Sequence, residues 1–103
     1  MTDNKLLEVL GRYETALHEP RVQRDMSVSH IAHLASMLGK MRAFLREGRR
    51  EKLMRWLGFA QGVLWCDGIY TIEELMQHNM ADGAEFFDPW TIERGPRDPE
   101  KED

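Results

Sequence analysis

Cysteine is almost absent from this 103-residue chain, and its scarcity limits what the protein can be. A single cysteine, Cys66, cannot form an internal disulfide, so the cross-links of a small secreted scaffold are excluded and a reducing compartment is favoured. The chain also lacks a run of about 18 apolar residues, which a membrane-spanning helix requires. Its N-terminus lacks the basic start and apolar stretch of a signal peptide. The sequence therefore predicts a soluble cytoplasmic protein without a membrane segment.

The motifs that mark common enzymes and metal sites are missing as well. There is no phosphate-binding glycine loop, no nucleophile elbow and no C-x-x-C or H-E-x-x-H pattern. Cys66 lies at the C-terminal end of a predicted helix beside Asp67, where the helix dipole and the carboxylate both disfavour a thiolate. His30, His33 and His78 do not have the paired spacing of a four-ligand zinc site. We therefore predict no enzymatic activity, no catalytic residue, no metal, no cofactor and no small-molecule substrate.

What the chain does contain is a moderately apolar composition with an uneven distribution of charge. Apolar residues make up 42% and charged residues 31%, which is typical of a globular domain. Residues 1–81 hold eleven basic and ten acidic residues, whereas residues 82–103 hold three basic and eight acidic ones. We therefore predict a nearly neutral helical domain over residues 1–81 and a partly ordered acidic tail over residues 82–103.

The spacing of apolar residues predicts an all-α fold, a small bundle of three to four helices around a helical hairpin. Four segments repeat apolar residues every three to four positions, and they cover approximately residues 3–17, 27–47, 50–66 and 72–79. Pro20 ends the first of them and opens a linker over residues 19–26. Gly48 is expected to break the chain between the second and third helices, and one helix continuing through Gly48 is the alternative.

The turn before the last helix is the most strongly specified local structure. Gly68 can adopt the left-handed conformation that ends a helix in a Schellman motif, with Ile69 contacting Leu64. Thr71 and Glu74 then have the spacing of a capping box. These residues predict a helix, a tight turn and a further helix.

Beyond that helix, glycine and proline make the tail irregular. The apolar residues of the tail can pack against the helices, and these are Phe86, Phe87, Trp90 and Ile92. The last eight residues have the composition of an acidic, disordered end.

A basic stretch over residues 40–55 is the sharpest charge feature, with seven positive residues against two glutamates. Its positive residues are Lys40, Arg42, Arg46, Arg49, Arg50, Lys52 and Arg55. Such a density can contact nucleic-acid phosphates, an acidic protein surface or the chain's own tail. It can equally be a solvated helix face, because lysine and arginine commonly cover exposed helices.

The third predicted helix carries two glycines on one face, Gly58 and Gly62. Glycine inside a helix costs up to about 1 kcal/mol relative to alanine, which indicates that something approaches this face closely. Tight intramolecular packing is the favoured explanation, and a contact between copies of the chain is the alternative. Trp56 and Trp65 are candidate interface anchors, because tryptophan and arginine often dominate the energy of an interface.

The run from Arg49 to Trp65, continued from Gly68 to Leu75, resembles small uncharacterised proteins of tailed bacteriophages and prophages. The resemblance covers residues 38–80 and carries over no functional residue. It implies an accessory protein that acts by binding a host or phage macromolecule.

Two functional hypotheses about binding follow, and a third is that the chain is a purely structural phage component that assembles with itself. The preferred one is a non-enzymatic accessory protein that binds a protein partner, as a homo-oligomer, through Trp56 and Trp65 with Arg46, Arg49 and Arg50 at the rim. The alternative is a nucleic-acid-binding accessory protein that uses all seven positive residues of the basic stretch.

Overall fold

Five helices make up the fold of the residues that the structure, a computed structural model, describes, which are residues 1–80. They are α1 (Asp3–Ala16), α2 (Pro20–Asp25), α3 (Val28–Arg46), α4 (Arg50–Cys66) and α5 (Ile72–His78). No strand occurs in this range, so the predicted all-α fold is confirmed. The predicted acidic tail lies outside the described residues.

The hairpin of α3 and α4 forms the centre of the fold, and Gly48 makes its turn. Gly48 has a φ of +75°, and its N–H donates to the Leu45 carbonyl at 3.1 Å while the Arg49 N–H donates to the Phe44 carbonyl at 2.8 Å. These two bonds define a Schellman motif, which satisfies carbonyls left free at the helix end. The predicted break at Gly48 is confirmed.

The second turn has the same construction. Gly68 also has a φ of +75°, and the Ile69 N–H donates to the Leu64 carbonyl at 2.9 Å. The Thr71 hydroxyl accepts from the Glu74 N–H at 3.1 Å, and the Glu74 carboxylate accepts from the Thr71 N–H at 2.8 Å. The predicted capping box is therefore present, and it starts α5.

The prediction of a linker over residues 19–26 is wrong for most of its length, because Pro20–Asp25 forms α2. Pro20 occupies the first turn of this helix, where its missing N–H leaves no bond unmade. Val22 is fully buried and holds the short helix against the core. Six residues make fewer than two turns, so no apolar repeat could reveal this helix in the sequence.

One apolar core joins the elements, with α1 and α4 both packed on α3 and α5 packed on α4. Its fully buried larger side chains are Leu6, Val9, Leu10, Tyr13, Val22, Leu34, Leu38, Met41, Leu53, Leu57 and Leu64. Thr2 caps α1 and Ser27 caps α3, each accepting a backbone N–H at 3.1 Å. Within residues 1–80 no helix combines the length and apolar character needed to cross a bilayer.

Candidate functional site

A groove of about 510 Å³ runs between α3 and α4. Its lining residues come from one side of each helix, and they are His33, Ser36, Met37, Lys40, Arg55, Trp56 and Phe59. The volume falls in the range of sites that bind small ligands or a few side chains, roughly 300–1,000 Å³. We call this feature the α3–α4 groove.

Aromatic rings form much of the groove surface. The half-buried Trp56 ring meets the Phe44 ring edge-on at 4.9 Å between centroids, which fixes its orientation. Phe59 also lines the groove, 55% exposed, with the centroid of the His33 ring 6.2 Å from that of its own ring. An exposed phenylalanine beside a half-buried tryptophan offers apolar surface that a partner can cover.

Positive charge surrounds this apolar surface. Lys40 and Arg55 line the groove, and neither forms an ion pair or side-chain hydrogen bond with another residue of 1–80. Lys52 lies beside them, its ammonium 5.8 Å from the centre of the Trp56 ring. The groove therefore joins aromatic walls to cations whose charge is free to meet an acidic group.

Other members of the basic stretch are already engaged in the fold. Arg42 donates two hydrogen bonds to the Glu14 carboxylate, at 2.8 and 2.6 Å, which connects α3 to α1. The same contact lowers the pKa of Glu14 and raises that of Arg42, because each charge stabilises the other. Arg50 donates to the carboxylate of Asp3 and to a backbone carbonyl at the N-terminus.

The remaining basic residues are divided between different surfaces. Arg49 lies 3.6 Å from the Glu47 carboxylate and stacks over the Phe44 ring. Arg46 is exposed at the end of α3 and does not line the groove. The seven predicted positions thus do not form one continuous surface.

The two predicted tryptophan anchors also lie apart. Trp56 and Trp65 are nine residues apart on α4, about two and a half turns, which places them on opposite sides of the helix. Trp65 is 50% exposed and lines a separate depression with Arg21, Glu73 and Glu74 at the turn before α5. One interface cannot use both tryptophans on a single face.

A polar network, buried at Tyr13, Gln61 and His78, joins α1, α4 and α5, and the sequence analysis did not predict it. The Tyr13 hydroxyl accepts from the Gln61 amide at 2.9 Å and lies 2.7 Å from His78 Nδ1, while Gln61 and Asn79 exchange two hydrogen bonds at 2.8 and 3.1 Å. We assign His78 the tautomer protonated at Nε2, because Nδ1 can then accept the hydroxyl proton of Tyr13. Gln61 among the leucines of α4 was the available signal.

The side chains of the network are neutral and hydrogen-bonded to one another. Burial raises the pKa of Tyr13 to about 12 and lowers that of His78, so both side chains are neutral near pH 7. No side-chain polar atom that is buried within residues 1–80 lacks a hydrogen-bond partner. The four residues therefore hold α5 in place, and they keep Asn79 beside α4.

Gly58 and Gly62 lie uncovered on the outer face of α4. Apart from the adjoining backbone of α4 itself, a Cβ placed at either position has no atom of residues 1–80 within 4 Å. The close packing predicted for these glycines is therefore absent from the described part of the chain. Packing within residues 1–80 therefore does not explain why α4 bears the free-energy cost of two glycines inside a helix.

The candidate metal ligands are dispersed. His30 pairs with the Asp67 carboxylate at 2.8 Å, across the open end of the α3–α4 hairpin, while His33 lies at the groove and His78 in the buried network. Cys66 is exposed. Residues 1–80 contain no group of three histidine, cysteine, aspartate or glutamate side chains arranged to hold a metal ion.

Comparison of the chain with protein-family models, with curated proteins and with solved structures finds no match. The resemblance to bacteriophage and prophage proteins therefore stays a prediction, and any functional argument depends on the geometry of the surfaces.

Proposed function

We propose that this protein is a non-enzymatic binding module whose α3–α4 groove takes an acidic, aromatic segment of a protein partner. The observation that carries the proposal is the pairing of the exposed Phe59 and half-buried Trp56 with Lys40 and Arg55, two cations without an acidic partner among residues 1–80. Placement in the cytoplasm, as an accessory protein of a phage or prophage, is part of the proposal and rests on the sequence alone.

The groove suits a peptide better than a flat protein surface. Helical grooves accept side chains from one partner segment, and the aromatic floor supplies most of the contact energy. Cations at the edge of such a floor speed association with an acidic segment and select against a basic one. A segment that alternates aromatic and acidic residues satisfies both parts of the groove.

Nucleic-acid binding is the alternative function, and the ion pairs that the basic stretch already forms within the fold argue against it. Arg42 and Arg50 are paired with carboxylates of α1, and Arg49 lies beside Glu47. Fewer free cations mean fewer neutralised phosphates and a shallower salt dependence. A titration against duplex and single-stranded DNA at two salt concentrations tests this alternative, and a steep salt slope would support it.

A peptide titration tests the preferred function. The probe is a fluorescent synthetic peptide in which phenylalanines and a tryptophan alternate with glutamates, and the comparison peptide carries lysine in place of each glutamate. We expect the full chain to bind the acidic peptide and not the basic one. Arg55→Glu should weaken binding about ten-fold, equivalent to about 1.4 kcal/mol, because it reverses a charge at the groove.

Arg46→Glu is the matched control, since it makes the same charge change on α3 outside the groove. Equal losses in the two variants would show that only the overall charge matters. If no acidic peptide binds at concentrations up to about 1 mM, a range that covers weak complexes, the groove has no such function.

Self-association is a second candidate, and the surface around Trp65 favours it. A two-fold interface must be complementary to itself. This surface places Arg21 near Glu73 and Glu74 around an exposed tryptophan, so each copy offers both signs of charge and an apolar anchor. Sedimentation should show a dimer that Trp65→Ala dissociates and that Val28→Ala, at an exposed apolar residue of α3, leaves intact. A monomer at all concentrations would contradict self-association.

A further inference from the structure

We propose that residues 85–92 of this chain occupy its own α3–α4 groove, so that a partner must displace them. The proposal rests on the proposed function of the groove and adds its regulation. Four observations carry it: where the described chain ends, how far the following residues reach, what lies between, and which chemistry they bring.

The chain leaves the helical body beside α4. Asn79, next to the last described residue, exchanges two hydrogen bonds with Gln61 of α4. That pairing fixes the starting point of residues 81–103. The groove lies on the other side of the same helix, at Arg55, Trp56 and Phe59.

The following residues are long enough to arrive there. Around the outer face of a helix about 10–12 Å wide, Gln61 lies roughly 15 Å from Phe59 and roughly 22 Å from Trp56. Extended chain covers about 3.3 Å per residue, so Phe86 and Phe87 reach about 20–23 Å from Met80, and Trp90 reaches about 33 Å. The aromatic residues therefore begin where the groove begins.

Gly58 and Gly62 lie on the route between these points. Each residue advances about 100° around a helix, which places Gly58 about 60° and Gly62 about 100° from Gln61 in the direction of Phe59. Neither glycine has a neighbour from residues 1–80 within 4 Å of a Cβ position, apart from the adjoining backbone of α4. A passing backbone can approach α4 closely here, which supplies the missing reason for two glycines inside a helix.

The chemistry of residues 85–92 matches the groove. They contain Phe86, Phe87 and Trp90 together with Glu85 and Asp88, and no basic residue. The rings meet the apolar surface of Trp56 and Phe59, and the carboxylates meet the unpaired cations at its rim. A tethered segment has an effective concentration of about 1 mM, so it holds a site whose affinity for the free peptide is only moderate.

Competition with a free peptide tests the proposal. The probe is a synthetic peptide with the sequence of residues 85–93, added to the full chain and to the full-length variant Phe87→Ala/Trp90→Ala. If the tether supplies about 1 mM and the free peptide binds at about 100 µM, the variant should bind the peptide about ten-fold more tightly than the native chain. The Trp56 indole resonance should shift in the variant without any peptide, and return on its addition.

Charge variants supply the matched control. Glu85→Gln/Asp88→Asn and Glu100→Gln/Glu102→Gln remove the same charge from the tail, but only the first pair lies within the proposed occupant. The first pair should raise peptide affinity and the second should leave it unchanged.

Each other outcome overturns the proposal in a recognisable way. Equal affinity of the native chain and the variant for the peptide would show that the tail does not occupy the groove. The proposed function would then still stand. If the peptide binds neither the native chain nor the variant, both the occupation of the groove by the tail and the proposed function of the groove are wrong. If the Trp56 shift depends on protein concentration, and sedimentation shows a dimer lost in the variant, the occupant is the tail of a second copy.

Discussion

Four glycines with open space around them show how backbone conformation alone sets the effect of a side chain. Apart from the adjoining backbone, a Cβ at Gly48, Gly58, Gly62 or Gly68 meets no atom of residues 1–80 within 4 Å. Gly48 and Gly68 have a φ of +75°, whereas Gly58 and Gly62 lie inside the regular helix α4. Contacts within the described part of the chain therefore do not distinguish Gly48 and Gly68 from Gly58 and Gly62. The backbone φ angle does.

Alanine substitution should act in opposite directions on these pairs. In the variant Phe87→Ala/Trp90→Ala, whose tail should leave the groove, we expect Gly58→Ala and Gly62→Ala to raise the free energy of unfolding by about 0.5–1 kcal/mol, through better helix propensity. In the native chain, the backbone proposed to cross α4 should reduce this gain. Gly48→Ala should lower the free energy of unfolding by about 1–2 kcal/mol, because the left-handed conformation is strained for a residue with a Cβ. Urea denaturation measures both. An equal gain for Gly62→Ala in the native chain and in the variant would indicate that no backbone crosses α4 at Gly58 and Gly62.

Tyr13 carries a second prediction at this scale. Tyr13→Phe keeps the ring and leaves both His78 Nδ1 and the Gln61 amide without the hydroxyl. Unmatched buried polar groups should lower the free energy of unfolding by about 1–3 kcal/mol. Tyr70→Phe is the control, since the Tyr70 hydroxyl makes no hydrogen bond within residues 1–80, and its effect should stay within about 0.5 kcal/mol. Similar losses in both would refute the importance of the network.

Individual residues were predictable where one local rule decides them. Gly68 and the pair of Thr71 and Glu74 follow from turn and capping chemistry within a few positions. Tyr13 and Gln61 were not predictable, because their partnership joins residues 48 positions apart. A polar residue on an apolar face indicates that a partner exists but not which residue it is.

At the scale of elements, α5 is held differently from the long helices. Only Leu75 and His78 of its seven residues are buried, so the polar network contributes much of its attachment to α1 and α4. Burial, with Arg12 and Lys5 nearby, lowers the pKa of His78, and Glu74 acts in the opposite direction. Protonation of this imidazole would break its acceptor contact with Tyr13.

Stability should therefore fall in mild acid. The unfolded chain binds a proton at this histidine near pH 6.5, whereas the folded chain does so only at lower pH. The contribution is fully present above pH 6.5 and is lost as the pH falls toward the folded pKa. Urea denaturation at pH 7.5, 6.5 and 5.5 measures the decline, and His78→Gln should reduce its slope. An unchanged slope in that variant would assign the effect to other groups.

The long elements could be read from the sequence and the short one could not. Nineteen residues in α3 and seventeen in α4 repeat their apolar positions over several turns, which is enough to establish a helical period. The six residues of α2 are too few to show such a period. Pro20 was interpreted as the end of the first helix, whereas it also begins α2. Periodicity detects length, so short helices held by tertiary contacts escape it.

Across residues 1–80, stability should be graded from the central hairpin outward. Hydrogen exchange by NMR should be slowest in α3 and α4, which share the largest part of the core, and fastest in α2 and α5. Few buried apolar side chains hold the two short helices, so their amides can open without global unfolding. Protection in α5 equal to that in α4 would contradict this order.

The candidate site was only partly accessible from sequence. Lys40, Arg55 and Trp56 were among the proposed binding residues, but nothing in the spacing showed that they share one groove with Phe59. The direction of a basic side chain depends on which helix packs beside it. The contact between α1 and α3 turns Arg42 toward Glu14, and that contact is a property of the whole fold.

The α3–α4 hairpin is continuous in sequence, and this has a consequence for the order of events at synthesis. Every residue of the groove lies between positions 33 and 59. Helical units with contacts between neighbours fold within microseconds to milliseconds, whereas translation adds roughly 5–20 residues per second. A receptive surface can therefore exist on the growing polypeptide before residues 85–92 have left the ribosome. During that interval, a ligand already nearby could bind the groove without competition from a segment of the same chain.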